Sequence, residues 1–152
     1  MYQIRQVIKV KASLKEVWSF YSNPQNLEKV TPEGIGFRLL DALPEEMYTG
    51  LVLRYIIKPI AGIPIQWATE ITHISPMVYF VDHQLSGPYK IWHHQHHFEE
   101  IQGGCQITDI IHYELPLGIL GKLAHVLFVK KQLTAIFAHR EKTTLKMFGN
   151  LE

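Results

Sequence analysis

A chain of 152 residues, 47 % apolar and 19 % charged, has the composition of one globular domain and is long enough to bury a core. Its net charge of +1 comes from scattered lysines and arginines, so no basic stripe points to a nucleic-acid partner. The single cysteine, Cys105, excludes an internal disulfide, and the longest apolar runs fall far short of the roughly 18 residues of a membrane span.

The opening "YQIRQVIKVKA" alternates apolar and polar residues and predicts a strand. It has no long apolar core, so no signal peptide is expected, and with one cysteine a cytoplasmic location is the expectation. Ser13, with Glu16 three residues on, forms a capping-box pattern ahead of a helix carrying Val17, Trp18, Phe20 and Tyr21. Asn23-Pro24 ends it, and "PQNLEKV" predicts a second short helix with proline in its first turn. Trp18, Phe20 and Tyr21 read as core of the first helix rather than as a ligand box.

Six β-rich runs follow at 36–43, 50–61, 63–75, 77–87, 89–101 and 105–116. Pro44, Gly62, Ser75-Pro76, Gly87-Pro88 and Gly103-Gly104 divide them, and such short breaks predict an antiparallel meander. Cys105 falls at an expected hairpin tip, with no base nearby to make it reactive. From Gly118 to about Phe148 the pattern is helical, a length of about 45 Å, with Gly121 a point where the helix loosens or divides. Leu123, Val126, Leu127, Leu133, Phe137 and Leu145 are expected to share the buried face, with Lys130, Lys131, Arg140, Glu141 and Lys142 on the rest. The stretch "LPLGILGKLAHVLFV" is expected to cover a cavity or to pack on the sheet. A membrane-surface role is the weaker reading, because basic residues do not cluster beside it.

Such an order predicts a single α+β domain over 1–152: a curved antiparallel sheet of about seven strands wrapped around a long C-terminal helix. The motifs "VWSFYSNPQNLEKVTP" (17–32), "GIPIQWATEI" (62–71), "FVDHQLSGPYKIWHHQHHFE" (80–99) and "LPLGILGKLA" (115–124) resemble those of a bacterial branch of the SRPBCC superfamily. That superfamily unites the START, Bet v 1-like and polyketide-cyclase proteins. The resemblance spans nearly the whole chain and implies a helix-grip fold. It leaves activity open, because the superfamily includes carriers of lipids and other hydrophobic ligands, cyclases, hydrolases and chaperone co-factors.

"KIWHHQHHFEE" (90–100) holds four histidines in five positions. Strand alternation separates Trp92, His94, His96 and Phe98 from Ile91, His93, Gln95, His97 and Glu99. The set bracketed by aromatics is assigned to the concave side. By the same rule Trp67, Asp82, Gln84, Asp109, Ile111 and Tyr113 face inward, while Glu70, His83, Val81 and His112 face outward. The inner histidines and aspartates are expected to pair, since an unpaired buried polar group costs about 1–3 kcal/mol. The polar set then has three open readings: a structural network, a ligand-contacting patch, or an acid–base pair. No cofactor and no metal are expected, because aspartates satisfy both inner histidines and no cysteine or glutamate motif supports zinc.

The ligand-cavity candidates are Trp67, Asp82, Gln84, Trp92, His94, His96, Asp109, Ile111 and Tyr113. The expected partner is a small hydrophobic or amphiphilic molecule held between sheet and helix. The alternatives are a cyclase, dehydratase or hydrolase using an inner His–Asp pair, and an interaction domain without a ligand. Catalytic residues, ligand identity and oligomeric state are not legible in the sequence.

Overall fold

The computed structural model describes residues 1–60 and 62–151. The run at 50–61 thus ends on Ala61, outside the described residues, as is Glu152 at the end of the 1–152 span.

β1 (Tyr2–Val10) leads into α1 (Leu14–Tyr21). The Ser13 side chain accepts the Glu16 amide and the Glu16 carboxylate accepts the Ser13 amide, so the capping box forms as expected. "PQNLEKV" is helical, but it winds as a tighter 3-10 helix, Pro24–Val30. β2 (Arg38–Leu39), β3 (Val52–Ile60), β4 (Ile63–Ser75), β5 (Tyr79–Ser86), β6 (Ile91–Ile101) and β7 (Gly104–Glu114) follow. They form one antiparallel sheet in the order β1-β7-β6-β5-β4-β3-β2. Two points differ from expectation. The run at 36–43 contributes only the two-residue β2. Cys105 lies inside β7, fully buried and opposite Val10 and Glu100, not at a hairpin tip. Gly104 allows this close passage: a Cβ there would collide with the Val10 carbonyl.

The C-terminal helix begins as α2 (Gly118–Ala124), widens into a π-helical turn at His125–Val129 and continues as α3 (Lys130–Phe148). The sheet curves around it, the α+β helix-grip arrangement. The wide turn changes which residues face inward. Val129, Leu133 and Phe137 are buried and Leu145 is partly so, but Leu123, Val126 and Leu127 are exposed. The expected single apolar face therefore holds only beyond the π turn, because extra residues in one turn rotate everything before it relative to everything after. No helix among the described residues is long and apolar enough to cross a membrane.

Among the described residues the core has two apolar clusters. One gathers Ile8, Val10, Val17, Phe98 and Ile107, with Trp18 of α1 set edge-on against Phe80 and Phe98. The other gathers Trp67, Trp92, Ile111, Leu133 and Phe137. A buried polar network sits among these side chains.

Candidate functional site

The network is built by register. Asp82 of β5 pairs with His94 of β6, which pairs with Ile111 of β7; Phe80, His96 and Asp109 make the adjacent row. Period-2 alternation then places Asp82, His94, His96 and Asp109 on the same face. His94, His96 and Asp109 are buried there and Asp82 nearly so, while His83, His93, His97, His112 and Glu70 are only half-buried on the other face. Val81, assigned outward, is buried as well.

His96 lies between the two carboxylates, its Nε2 3.0 Å from Asp82 Oδ2 and its Nδ1 2.8 Å from Asp109 Oδ1. Its ring stacks on Phe80 with centroids 4.2 Å apart. His94 sits 3.4 Å from each aspartate, through Nδ1 to Asp82 and Nε2 to Asp109. Arg140 of α3 completes the group. Its Nε is 3.1 Å from Asp109 Oδ2, its Nη2 is 3.1 Å from His96 Nδ1, and its guanidinium lies 4.9 Å from the centre of the Tyr21 ring. The Tyr21 hydroxyl in turn shares a 2.6 Å hydrogen bond with Thr144. Sequence periodicity places Arg140 on the solvent side of the helix, yet it is only 7 % exposed.

The charges can be counted. Burial opposes ionisation of Asp109, but Arg140 and His96 outweigh it and hold the carboxyl well below its ordinary range. Burial likewise works against Asp82, and His94, His96 and Arg140 prevail over it. Burial disfavours the imidazolium of His96, yet Asp109 and Asp82 hold its pKa above the ordinary value. For His94, burial and the neighbouring His96 dominate and push the pKa down to about 4. Charge balances when two carboxylates face the Arg140 cation and a protonated His96, the form its raised pKa favours, with His94 neutral. In that state His96 Nδ1–H faces Asp109 Oδ1 as a close ion pair at 2.8 Å; in a neutral His96 the same nitrogen accepts from Arg140. Both Asp109 oxygens, Arg140 Nε and His94 Nε2 have close charged neighbours but no well-aligned hydrogen bond. Proximity of charge, more than bond geometry, holds this centre together.

A cavity of about 360 Å³ opens beside the network. Trp67, Trp92, Asp82, His94 and His96 line it, together with residues of α1, α2, the π turn and α3. Asp109, Ile111 and Tyr113 are buried in the sheet without lining it. Gln84 turns to the backbone of Tyr89: its Nε2 donates to the Tyr89 carbonyl at 2.7 Å and its Oε1 accepts the Tyr89 amide at 3.3 Å. That clamp holds the "GPY" turn so that Pro88 and Tyr89 join the cavity wall. The first helix contributes Phe20 and Tyr21 to the wall as well as to the core. Sequence reasoning missed Arg140, which lines the cavity too, and Tyr55, whose hydroxyl lies 3.1 Å from the side-chain oxygen of Thr69, a residue that alternation puts on the inner face. A cation one helical face away from the apolar stripe gave no sign of its partner, because that partner is a strand 31 residues earlier in the chain.

Asp82, His94 and His96 also bring one potential metal-ligand atom each within 4.8 Å of one another. The donor set suits a transition metal. The Arg140 guanidinium beside His96 and Asp109 works against a further cation there, since it already supplies the positive charge that the aspartates require.

No protein-family model matches the chain, and no curated protein matches it. Solved structures do. Protein CV1439 from Chromobacterium violaceum superimposes with a TM-score of 0.74 at 10 % identity, over 99 % of this chain and 100 % of that one. TTHA0849 from Thermus thermophilus gives 0.69 at 16 % identity, over 96 % and 99 %. Ginseng major latex-like protein 151 from Panax ginseng gives 0.67 at 14 % identity, over 97 % of each chain. At such identities the likeness is one of fold, and the helix-grip fold is what this chain shares with them.

Proposed function

We propose that the protein is a binding protein of the SRPBCC superfamily that holds a small, mainly apolar molecule between its sheet and its C-terminal helix. The observation that carries this is the cavity itself. Its volume of about 360 Å³ falls within the range of small-molecule sites, roughly 300–1,000 Å³. Its walls are mostly aromatic and aliphatic, with a charged corner at Asp82, His94, His96 and Arg140. Asp82 is the most accessible member of that corner, and an ionised carboxylate only accepts hydrogen bonds. The ligand that fits this corner is therefore an apolar body bearing a hydroxyl or other hydrogen-bond donor, since Arg140, the cation on the wall, is already paired with Asp109. The comparisons lend support, since the fold accommodates such a space between sheet and helix.

The same corner favours a second reading, acid–base catalysis of the cyclase, dehydratase or hydrolase kind. Asp82 and His94 border the cavity, and His94 is held neutral as a proton acceptor must be. Against it, both ring nitrogens of His96 and both of His94 already face carboxylates. An interaction domain with a filled core fits worst, given the cavity.

The test is displacement of an apolar reporter dye, read beside thermal melting. Ile136 of α3 lines the cavity, so Ile136→Trp should abolish dye binding with little change in melting temperature. Ile111 is fully buried outside the lining, so Ile111→Trp should instead overpack and lose about 1–3 kcal/mol. Absence of dye binding by the wild type would end both the carrier and the enzyme readings. Native mass spectrometry of protein from its own host separates those two. One unaltered bound molecule supports carriage; a mixture of two related molecules whose ratio shifts in His94→Gln supports catalysis.

A further inference from the structure

The segment from Leu117 to Phe128 exposes seven large apolar side chains. Leu117, Ile119, Leu120, Leu123, Val126, Leu127 and Phe128 are all more than half exposed, Ile119 at 83 % and Val126 at 72 %. Positions 119, 123, 126 and 127 recur at helical spacing and so lie along one side of the helix. Leu117 is held outward by a left-handed backbone, φ 67°, which a non-glycine residue rarely adopts. A contiguous exposed apolar surface of this kind marks a site of contact with something else.

Charge identifies what. Between Glu114 and Glu141 the chain carries no aspartate or glutamate, and although its basic residues do not cluster in the sequence, the fold leaves Lys122, Lys130 and Lys131 exposed within and just after the apolar segment. A second copy docked symmetrically would bring those lysines against their own counterparts with no carboxylate from the segment to pair them. An anionic lipid surface accepts both parts, leucine and phenylalanine at the acyl boundary and lysines at the headgroups. The segment is also continuous with the cavity: Leu117, Leu120, Gly121 and Ala124 belong to its wall, and Leu120 is both lining and exposed. We infer that α2 and the π turn form a peripheral docking surface for anionic membranes, which sets the mouth of the cavity against the lipid. The surface goes beyond the ligand reading and does not depend on it, since vesicle binding is measured on protein with no ligand added.

The probes are vesicles of phosphatidylcholine alone, and of phosphatidylcholine with three parts in ten phosphatidylglycerol. Wild-type protein should co-sediment with the anionic vesicles and far less with the neutral ones. Each of Lys122→Gln, Lys130→Gln and Lys131→Gln should weaken binding roughly fivefold. Ile119→Glu/Val126→Glu should weaken it by more than about tenfold with an unchanged melting temperature, since both side chains point to solvent. No sedimentation with either vesicle overturns the inference, and so does binding that the double variant leaves intact. Equal binding to both vesicles overturns the role of the lysines. Concentration-dependent self-association that the double variant abolishes, without vesicle binding, assigns the face to a second copy and also overturns it.

Discussion

Arg140→Met removes the cation that anchors the buried network and keeps an apolar stem of similar length. Arg140 Nε and Asp109 Oδ2 are 3.1 Å apart, with side chains 9 % and 1 % exposed. At an effective dielectric of 20 their attraction is roughly 5 kcal/mol before desolvation is set against it. Deleting one partner leaves the Asp109 carboxylate buried with too little positive charge, and such deletions cost about 3–5 kcal/mol. For a domain of this size that corresponds to a fall in melting temperature of roughly 6–20 °C. Urea unfolding at neutral pH is the assay, and Arg140→Met/Asp109→Asn is its companion. The double variant should recover much of the loss, because no uncompensated carboxylate remains. The pH dependence has a definite sign. Asp109 has a depressed pKa in the folded protein, so its stabilisation is present above about 3.8 and lost as pH falls through the folded value. The gap between wild type and Arg140→Met should therefore be widest near neutrality and close in acid. A loss below about 1 kcal/mol, with no pH dependence, would mean that water screens the pair and that charge balance does not hold this centre together.

The neutral His94 makes wild-type stability fall as pH drops from 6.5 toward 4, because the unfolded chain takes up a proton that the folded His94 refuses. The effect is on the order of 3 kcal/mol, and His96 does not offset it in that window, because the stability its raised pKa contributes is fully present below 6.5 and is lost only as pH rises through the folded value. Urea midpoints across that window should flatten in His94→Gln, and an unchanged slope would refute the assignment. Protein purified without a histidine tag or added metal should carry no stoichiometric zinc, iron or copper by elemental analysis; one equivalent that disappears in His94→Ala would reverse that expectation. Gly121→Ala should cost about 1–3 kcal/mol in thermal or urea unfolding, because its Cβ would run into the Pro116 carbonyl, and a neutral result would mean that the start of α2 is looser than its packing implies.

The meander and the capping box were legible because both rest on local signals. Breaks at Gly103-Gly104 and Ser75-Pro76 set strand ends, and Ser13 with Glu16 set a helix start. The inner faces of β5, β6 and β7 were legible for a related reason. Alternation fixes which side a residue takes, and aromatics such as Trp92 and Phe98 name the buried side. Alternation says less about depth. Asp109 and Ile111 share the face of His94 but, one strand over on β7, are buried without lining the cavity. It also misplaced Val81, which is buried on the face assigned to solvent.

The C-terminal helix resisted reading because its period is not constant. An apolar stripe drawn at one spacing joins Leu123 to Leu133 and Phe137, yet the π turn at His125–Val129 lies between them. Something must stabilise that wide turn. His125 is buried in it, its Nε2 2.8 Å from the Tyr113 hydroxyl and its ring stacked 3.6 Å from Tyr2. These two partners belong to β7 and β1, so the sheet itself pins the turn. The consequence is a division of labour within one helix. Beyond the turn, α3 gives Leu133, Phe137 and Arg140 to the core and the network. Before it, α2 is rotated so that its leucines and isoleucine face outward at the edge of the cavity. A regular helix would have buried both halves and closed the cavity with its own apolar face. The π turn keeps the first half free, which is what both an opening to the cavity and an apolar contact surface beside it require.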